Sequence, residues 1–169
     1  MVAARESWET DPTAVRHFER FFRLAVHPDV DKHGLAPTLD IDKSDLRRLG
    51  EFVNDKIADL VTAAQEKTRL NARKFVEPYD LPIPKGLQEN MHRFRKLEEG
   101  AALLPVLDRL TGRPPIDFDY APETDQSLAL VAGGICMCVA SSFEIVDPDV
   151  KNPTTEHWDR AYQIFQLLL

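Results

Sequence analysis

Apolar positions along this 169-residue chain fall into two runs with the same outline. Asp11-Pro12 opens a first helix, because Asp is a good N-cap and Pro is tolerated at the first helical position. Phe18, Phe21, Phe22 and Ala25 form its apolar face, and the helix ends near His27-Pro28. A polar loop leads to Asp42, which caps a long helix. Its apolar positions Leu46, Leu49, Phe52, Val53, Ile57, Leu60 and Ala64 follow steps of three and four. Asn71 marks its end, Lys74-Phe75-Val76 is short and extended, and Pro78 closes it. A third helix covers residues 84–98, with Leu87, Met91, Phe94 and Leu97 on one side. Gly100 breaks the pattern, which then repeats. A short helix with Leu103, Leu104, Leu107 and Leu110 ends at Gly112. After a Pro-rich loop, Pro122 begins a long helix with Leu128, Val131, Ile135, Val139, Ser142 and Ile145 inward. Asn152-Pro153 leads to the last helix, with Trp158, Ala161, Tyr162, Phe165 and Leu168 inward.

The order short–long–short thus occurs twice, as a repeat of pattern rather than of identity. A three-helix unit whose central helix is apolar over so wide a face cannot bury it alone. Two copies crossing at their long helices would. Gly133 and Gly134 in one long helix and Ala58 in the other suit a close crossing of backbones. The expectation is an all-α chain with a flexible stretch at residues 1–11. One unit follows at 12–99 and a second at 100–169, both in one compact domain.

Charge divides the chain unevenly. Residues 1–98 carry 17 Lys+Arg and 17 Asp+Glu, while residues 99–169 carry 4 against 11, so the whole net charge of −7 lies in the second half. Cys136 and Cys138 stand two positions apart in an apolar stretch, which points them to different helix faces and suits neither a disulfide nor a redox pair. Reduced, buried cysteines fit a cytoplasmic protein. No signal-peptide core precedes residue 12, where Arg5, Glu6, Glu9 and Asp11 are charged. Residues 126–143 carry no formal charge over 18 positions, the short end of a bilayer span. Asp125 and Glu144 flank them without a nearby Lys or Arg, and Gly133, Gly134, Ser141 and Ser142 dilute them, so a buried core helix is expected rather than a membrane span.

The sequence Asn71-Ala72-Arg73-Lys74-Phe75-Val76-Glu77-Pro78-Tyr79-Asp80-Leu81 resembles the second loop of archaeal histones. In those proteins an arginine and an aspartate seven positions apart clamp that loop, and Arg73 and Asp80 have that spacing. More closely, the chain is similar to a bacterial family of single-chain double histone folds. The matching stretches are Asp40-Ile41-Asp42-Lys43, Asp80-Leu81-Pro82-Ile83, Lys85-Gly86-Leu87-Gln88-Glu89, Lys151-Asn152-Pro153, Thr155-Glu156-His157 and Leu167-Leu168-Leu169. The resemblance runs from residue 14 to the end and implies two histone-fold units fused as a pseudodimer. Two departures stand out: the first loop, His27 to Leu39, is longer, and Val150 and His157 occupy the second clamp's positions.

A histone resemblance implies DNA along the loop edges and the paired first helices. One edge, residues 27–43 with 146–154, holds Lys32, Lys43 and Lys151 against six aspartates. The other, residues 112–121 with 70–80, holds Arg113, Arg73 and Lys74 against four acids. Sequence-independent DNA binding needs several phosphate contacts, and neither edge is positive. The candidate contacts are Arg16, Arg20, Arg23 and Lys74, with only Arg109, beside Asp108, on the counterpart helix.

Other chemistry is sparse. Asp29, Asp31, His33 and Asp40 outline a calcium-like loop with Gly34 at its sixth position. His33 is a poor calcium ligand, however, and Pro37 fills the ninth place. His27 and His33 could instead serve a transition metal, but an acidic surface loop is the plainer expectation. No nucleophile elbow, phosphate loop or HExxH motif is present, and His92 and His157 read as packed or capping residues. The expectation is a non-enzymatic protein without a cofactor, engaging a protein partner or itself, with weak DNA binding as the alternative.

Overall fold

The computed structural model describes residues 7–26 and 39–167. Asp11 Oδ1 accepts the amides of Thr13 (2.9 Å) and Ala14 (3.3 Å) and so starts α1, Pro12–Val26. Asp42 starts α2, Lys43–Leu70, through a reciprocal box: its side chain accepts the Asp45 amide at 2.8 Å, and Asp45 accepts the Asp42 amide at 3.0 Å. The second Asp45 oxygen accepts the Trp158 indole N–H at 2.8 Å, so the carboxylate that begins α2 also anchors the last helix. Asn71 ends α2 by donating its side-chain amide to Lys67 O at 2.8 Å, and Ala72 turns the chain at φ 52°.

The extended stretch after this turn is β1, Phe75–Val76, followed by a 3-10 turn at Pro78–Asp80 and α3, Lys85–Lys96. The break between the two runs falls at Leu97, whose backbone is extended, and α4 begins at once as Glu98–Leu110. Gly100 therefore lies inside a helix rather than interrupting one. A Cβ there would collide with the carbonyl oxygen of Phe94, so the glycine lets the end of α3 fold closely against α4. The chain continues through β2, Asp119–Tyr120, to α5, Pro122–Val146, and α6, Thr155–Gln166. The α-helices have 15, 28 and 12 residues in the first run and 13, 25 and 12 in the second. The fold is mainly α. The pairing of β1 with β2, parallel with Phe75 opposite Asp119 and Val76 opposite Tyr120, adds a two-strand sheet that the all-α expectation lacked.

One apolar cluster draws on every helix, with α5 as its axis. Leu128, Val131, Ile135, Cys136, Val139 and Phe143 have no exposure at all. By length and composition α5 could cross a membrane, but 67% of its most apolar stretch lies inside the protein, as a core helix does. The expected inward faces of α1 and α2 are buried throughout. Two expectations fail here. Gly133 and Gly134 do not seat the other long helix, since Ala58 is half-exposed; a Cβ on Gly133 would meet the Phe94 ring at 2.5 Å, and one on Gly134 would meet Met91. The close approach is that of α3 onto α5. Ile145, expected inward, is 76% exposed, although Phe143 in the same turn of α5 is fully buried: the last turn presents a different side to the core.

Candidate functional site

The residues that carry chemistry gather at the two ends where the halves of the chain meet. At one end the sheet joins the segment after α2 to the segment before α5. It is reinforced by Thr124 Oγ1, which donates to Val76 O at 2.6 Å, and by the Ala121 amide, which donates to the same oxygen at 3.1 Å. Arg73 stands beside it and closes a two-pronged pair on Asp80: Nη1 to Oδ2 at 2.6 Å and Nη2 to Oδ1 at 2.5 Å. Asp80, 1% exposed, also accepts Thr68 Oγ1 at 3.1 Å and the Glu77 amide at 2.9 Å. The Arg73 guanidinium holds the Asp80 carboxyl below its ordinary value, and burial only partly opposes it. The same guanidinium lies 5.2 Å from the Tyr79 ring centroid. The expected clamp is formed, and it spends the arginine that could otherwise have met a phosphate.

At the other end the Asp40 amide donates to Lys151 O at 2.7 Å. His157 and Val150 make no second clamp of the Arg–Asp kind. Val150 is buried, while His157 caps α6: its Nδ1 accepts the Thr154 amide at 3.0 Å and its Nε2 lies 3.1 Å from Asp147 Oδ2. The capping role expected for His157 holds. His92 is exposed on α3, so it is neither packed nor a cap.

The basic face of α1 is largely engaged by acids. Arg20 Nε lies 3.5 Å from Glu99 Oε2, and Arg23 donates to Asp40 at 3.4 Å. Arg109 pairs with Asp11, and Arg113 binds Asp125 at 2.6 Å and Asp108 at 2.9 Å. Arg69 reaches Asp117 at 3.2 Å. Arg16 and Lys74 are exposed and carry no ion pair among the described residues. Glu99 is the residue the sequence did not reveal. It is 4% exposed, lies 2.6 Å from His17 Nδ1 as well as facing Arg20, and so ties α1 to the start of α4. Its partner is 82 positions away, a separation for which no local pattern exists.

Of the suggested metal loop, Asp29, Asp31 and His33 lie outside the described residues, as does His27. Asp40 is described and faces Arg23, and no group of three potential metal ligands occurs among the described residues. Cys136 is buried and Cys138 half-buried, both as free thiols.

Mainly helical, with two short–long–short runs sharing one core, the chain has the architecture of a crystal structure from Thermus thermophilus. That structure matches with a TM-score of 0.74 and 39% identity over 92% of this chain and 97% of the other. A structure from Aquifex aeolicus shares the fold at a TM-score of 0.71 and 21% identity, over 91% and 94% of the two chains. Two uncharacterised Aquifex aeolicus proteins are each 26% identical, over 78% and 83% of this chain and the same shares of their own lengths. A family profile described as a domain of unknown function, DUF1931, matches residues 18–166, and the chain belongs to that family.

Proposed function

We propose that the chain is a pair of histone-fold units fused as a pseudodimer, serving as a non-enzymatic, cytoplasmic protein-interaction or assembly module. The repeated helix lengths support the pseudodimer, as does the Arg73–Asp80 clamp. So does the reciprocal joining of loops, Phe75–Val76 with Asp119–Tyr120 at one end and Asp40 with Lys151 at the other. The observation that carries the functional reading is the neutralised basic face. Arg20 and Arg23, two of the four candidate phosphate contacts, each lie beside a carboxylate, as does the clamp residue Arg73, and the second half of the chain is acidic. A polyanion would have to displace those acids and then tolerate them. Fusing the halves in one chain fixes their pairing and leaves the outer surface to contact other proteins.

The test is fluorescence anisotropy of a labelled duplex of about 30 bp, titrated with protein from about 20 to 200 mM salt, where a multi-phosphate binder weakens sharply. No binding is expected at the lowest salt. Arg16 and Lys74, exposed and without an ion pair among the described residues, favour the alternative, a weak nucleoid protein. Micromolar binding with a steep salt slope, lost in Arg20→Ala/Arg23→Ala, would establish that alternative and sink the first reading.

A further inference from the structure

The cations of α3 are unevenly cancelled. Lys85 pairs with Glu89 at 3.6 Å, but Arg93, Arg95 and Lys96, all exposed, meet no acid among the described residues. Arg93 is held by two neutral acceptors instead, Asn90 Oδ1 at 3.0 Å and Ser141 Oγ at 3.2 Å, which leave its charge in place. Cations suit the last turn of a helix, yet that end offsets only about half a unit of charge. Arg93 and Lys96, one turn apart, also wall a hollow of about 160 Å³. Its other walls are Leu24 and Ala25 of α1, Leu97, and Met137 of α5. A cavity of about 150 Å³ is large enough to admit a benzene ring.

The opposite combination stands on the sheet. Phe75 of β1 lies opposite Asp119 of β2, and residues paired in this way project to the same side. Phe75 is 48% exposed although Val76 beside it is buried. Asp119 is exposed without an ion pair among the described residues, as is Glu123 at the start of α5. Strand alternation turns Lys74 to the other side, and Arg73 is already closed on Asp80.

We propose that these two surfaces bind each other head to tail between copies of the chain. Phe75 of one copy enters the hollow of the next, and its Asp119 pairs with Arg93 and Lys96 there. Size and charge both select this occupant: a ring-sized hollow between unpaired cations, and an exposed ring beside an unpaired carboxylate. The net charge of −7 opposes most other approaches of two copies. Because the two surfaces differ, the contact is heterologous, and each copy in it keeps one surface free for a further copy. The inference rests on the interaction-module reading above and gives the partner as a second copy of the chain.

Sedimentation velocity of the full chain from about 2 to 200 µM, at about 20 and 200 mM salt, tests it across modest affinities. At low salt the average mass is expected to rise past that of a dimer with concentration, and to fall back at the higher salt as the charges are screened. Arg93→Glu/Lys96→Glu and Phe75→Ala/Asp119→Lys are each expected to weaken association about 30-fold or more. Mixed together, they are expected to form a one-to-one pair and nothing larger, since one keeps the ring and carboxylate and the other keeps the hollow. Leu167→Glu, at an 84% exposed position on neither surface, is expected to associate like the parent. A monomer at every concentration, or association indifferent to both variants, would overturn the proposal. So would a mixture that stays monomeric while each variant keeps the parent's circular dichroism. Tight duplex binding by a chain that associates in this way would remove the interaction-module reading alone.

Discussion

Replacing Gly133 with alanine tests the packing that the whole fold turns on. The new methyl group would stand 2.5 Å from Phe94 Cε1, 2.6 Å from Cδ1 and 2.7 Å from Cζ. That ring cannot retreat easily: Phe94 has no exposure, and its centroid lies 5.6 Å from the ring of Phe21. Alanine over glycine in a helix interior gains about 1 kcal/mol, while overfilling a packed core costs about 1–3 kcal/mol. With an aromatic ring as the obstacle the cost falls in the upper part of that range, so a net loss of about 1–2 kcal/mol is expected. Gly134→Ala is the internal comparison. Its methyl would meet Met91 Cγ first and then the Met91 backbone nitrogen at 3.2 Å, which cannot swing aside, so a net loss of about 1 kcal/mol is expected there too. Urea unfolding followed by helical circular dichroism gives both values through the midpoint at constant slope. In a Phe94→Leu background the penalty of Gly133→Ala is expected to shrink by about 1 kcal/mol, because the two side chains are in contact. A Gly133→Ala protein as stable as the parent, or a penalty unchanged by Phe94→Leu, would refute the seating of α3 in the Gly133–Gly134 notch.

Two further outcomes follow from buried titratable groups. The Asp80 carboxyl is held below its ordinary value by Arg73, so its contribution is complete above about pH 4 and disappears as pH falls through the depressed value. Asp80→Asn is expected to cost about 2 kcal/mol at pH 7, with the gap to the parent closing below about pH 4; a gap of constant size from neutral pH to pH 2 would contradict the clamp's ionic character. Burial pushes the Cys138 thiol up to about 11 and the Cys136 thiol further still. At pH 8 neither is expected to label at the rate of an unfolded cysteine, the native rate being lower by about 100-fold or more; one fast-reacting thiol in the native protein would show that α5 is more open than its packing implies.

The helices were legible in the sequence because the forces that make them are local. Asp11 and Asp42 cap amides two or three residues away, and the steps of three and four in Phe18–Ala25 and Leu46–Ala64 name the buried faces directly. The Arg73–Asp80 pair was legible for the same reason, its partners being seven positions apart on one turn of chain. Periodicity gives a face but not what covers it. It showed that Gly133 and Gly134 admit a neighbour, but not that the neighbour is α3 and not α2, nor that Ile145 stays uncovered. Only the tertiary structure placed Glu99 against His17, 82 positions away, and Trp158 on Asp45, 113 positions away. It also put the carboxylates of Glu99 and Asp40 beside arginines that, read along the chain, look free for phosphate. Charge counts along a sequence sum over residues, whereas binding depends on which charges are already paired, and that pairing is set by distance in space.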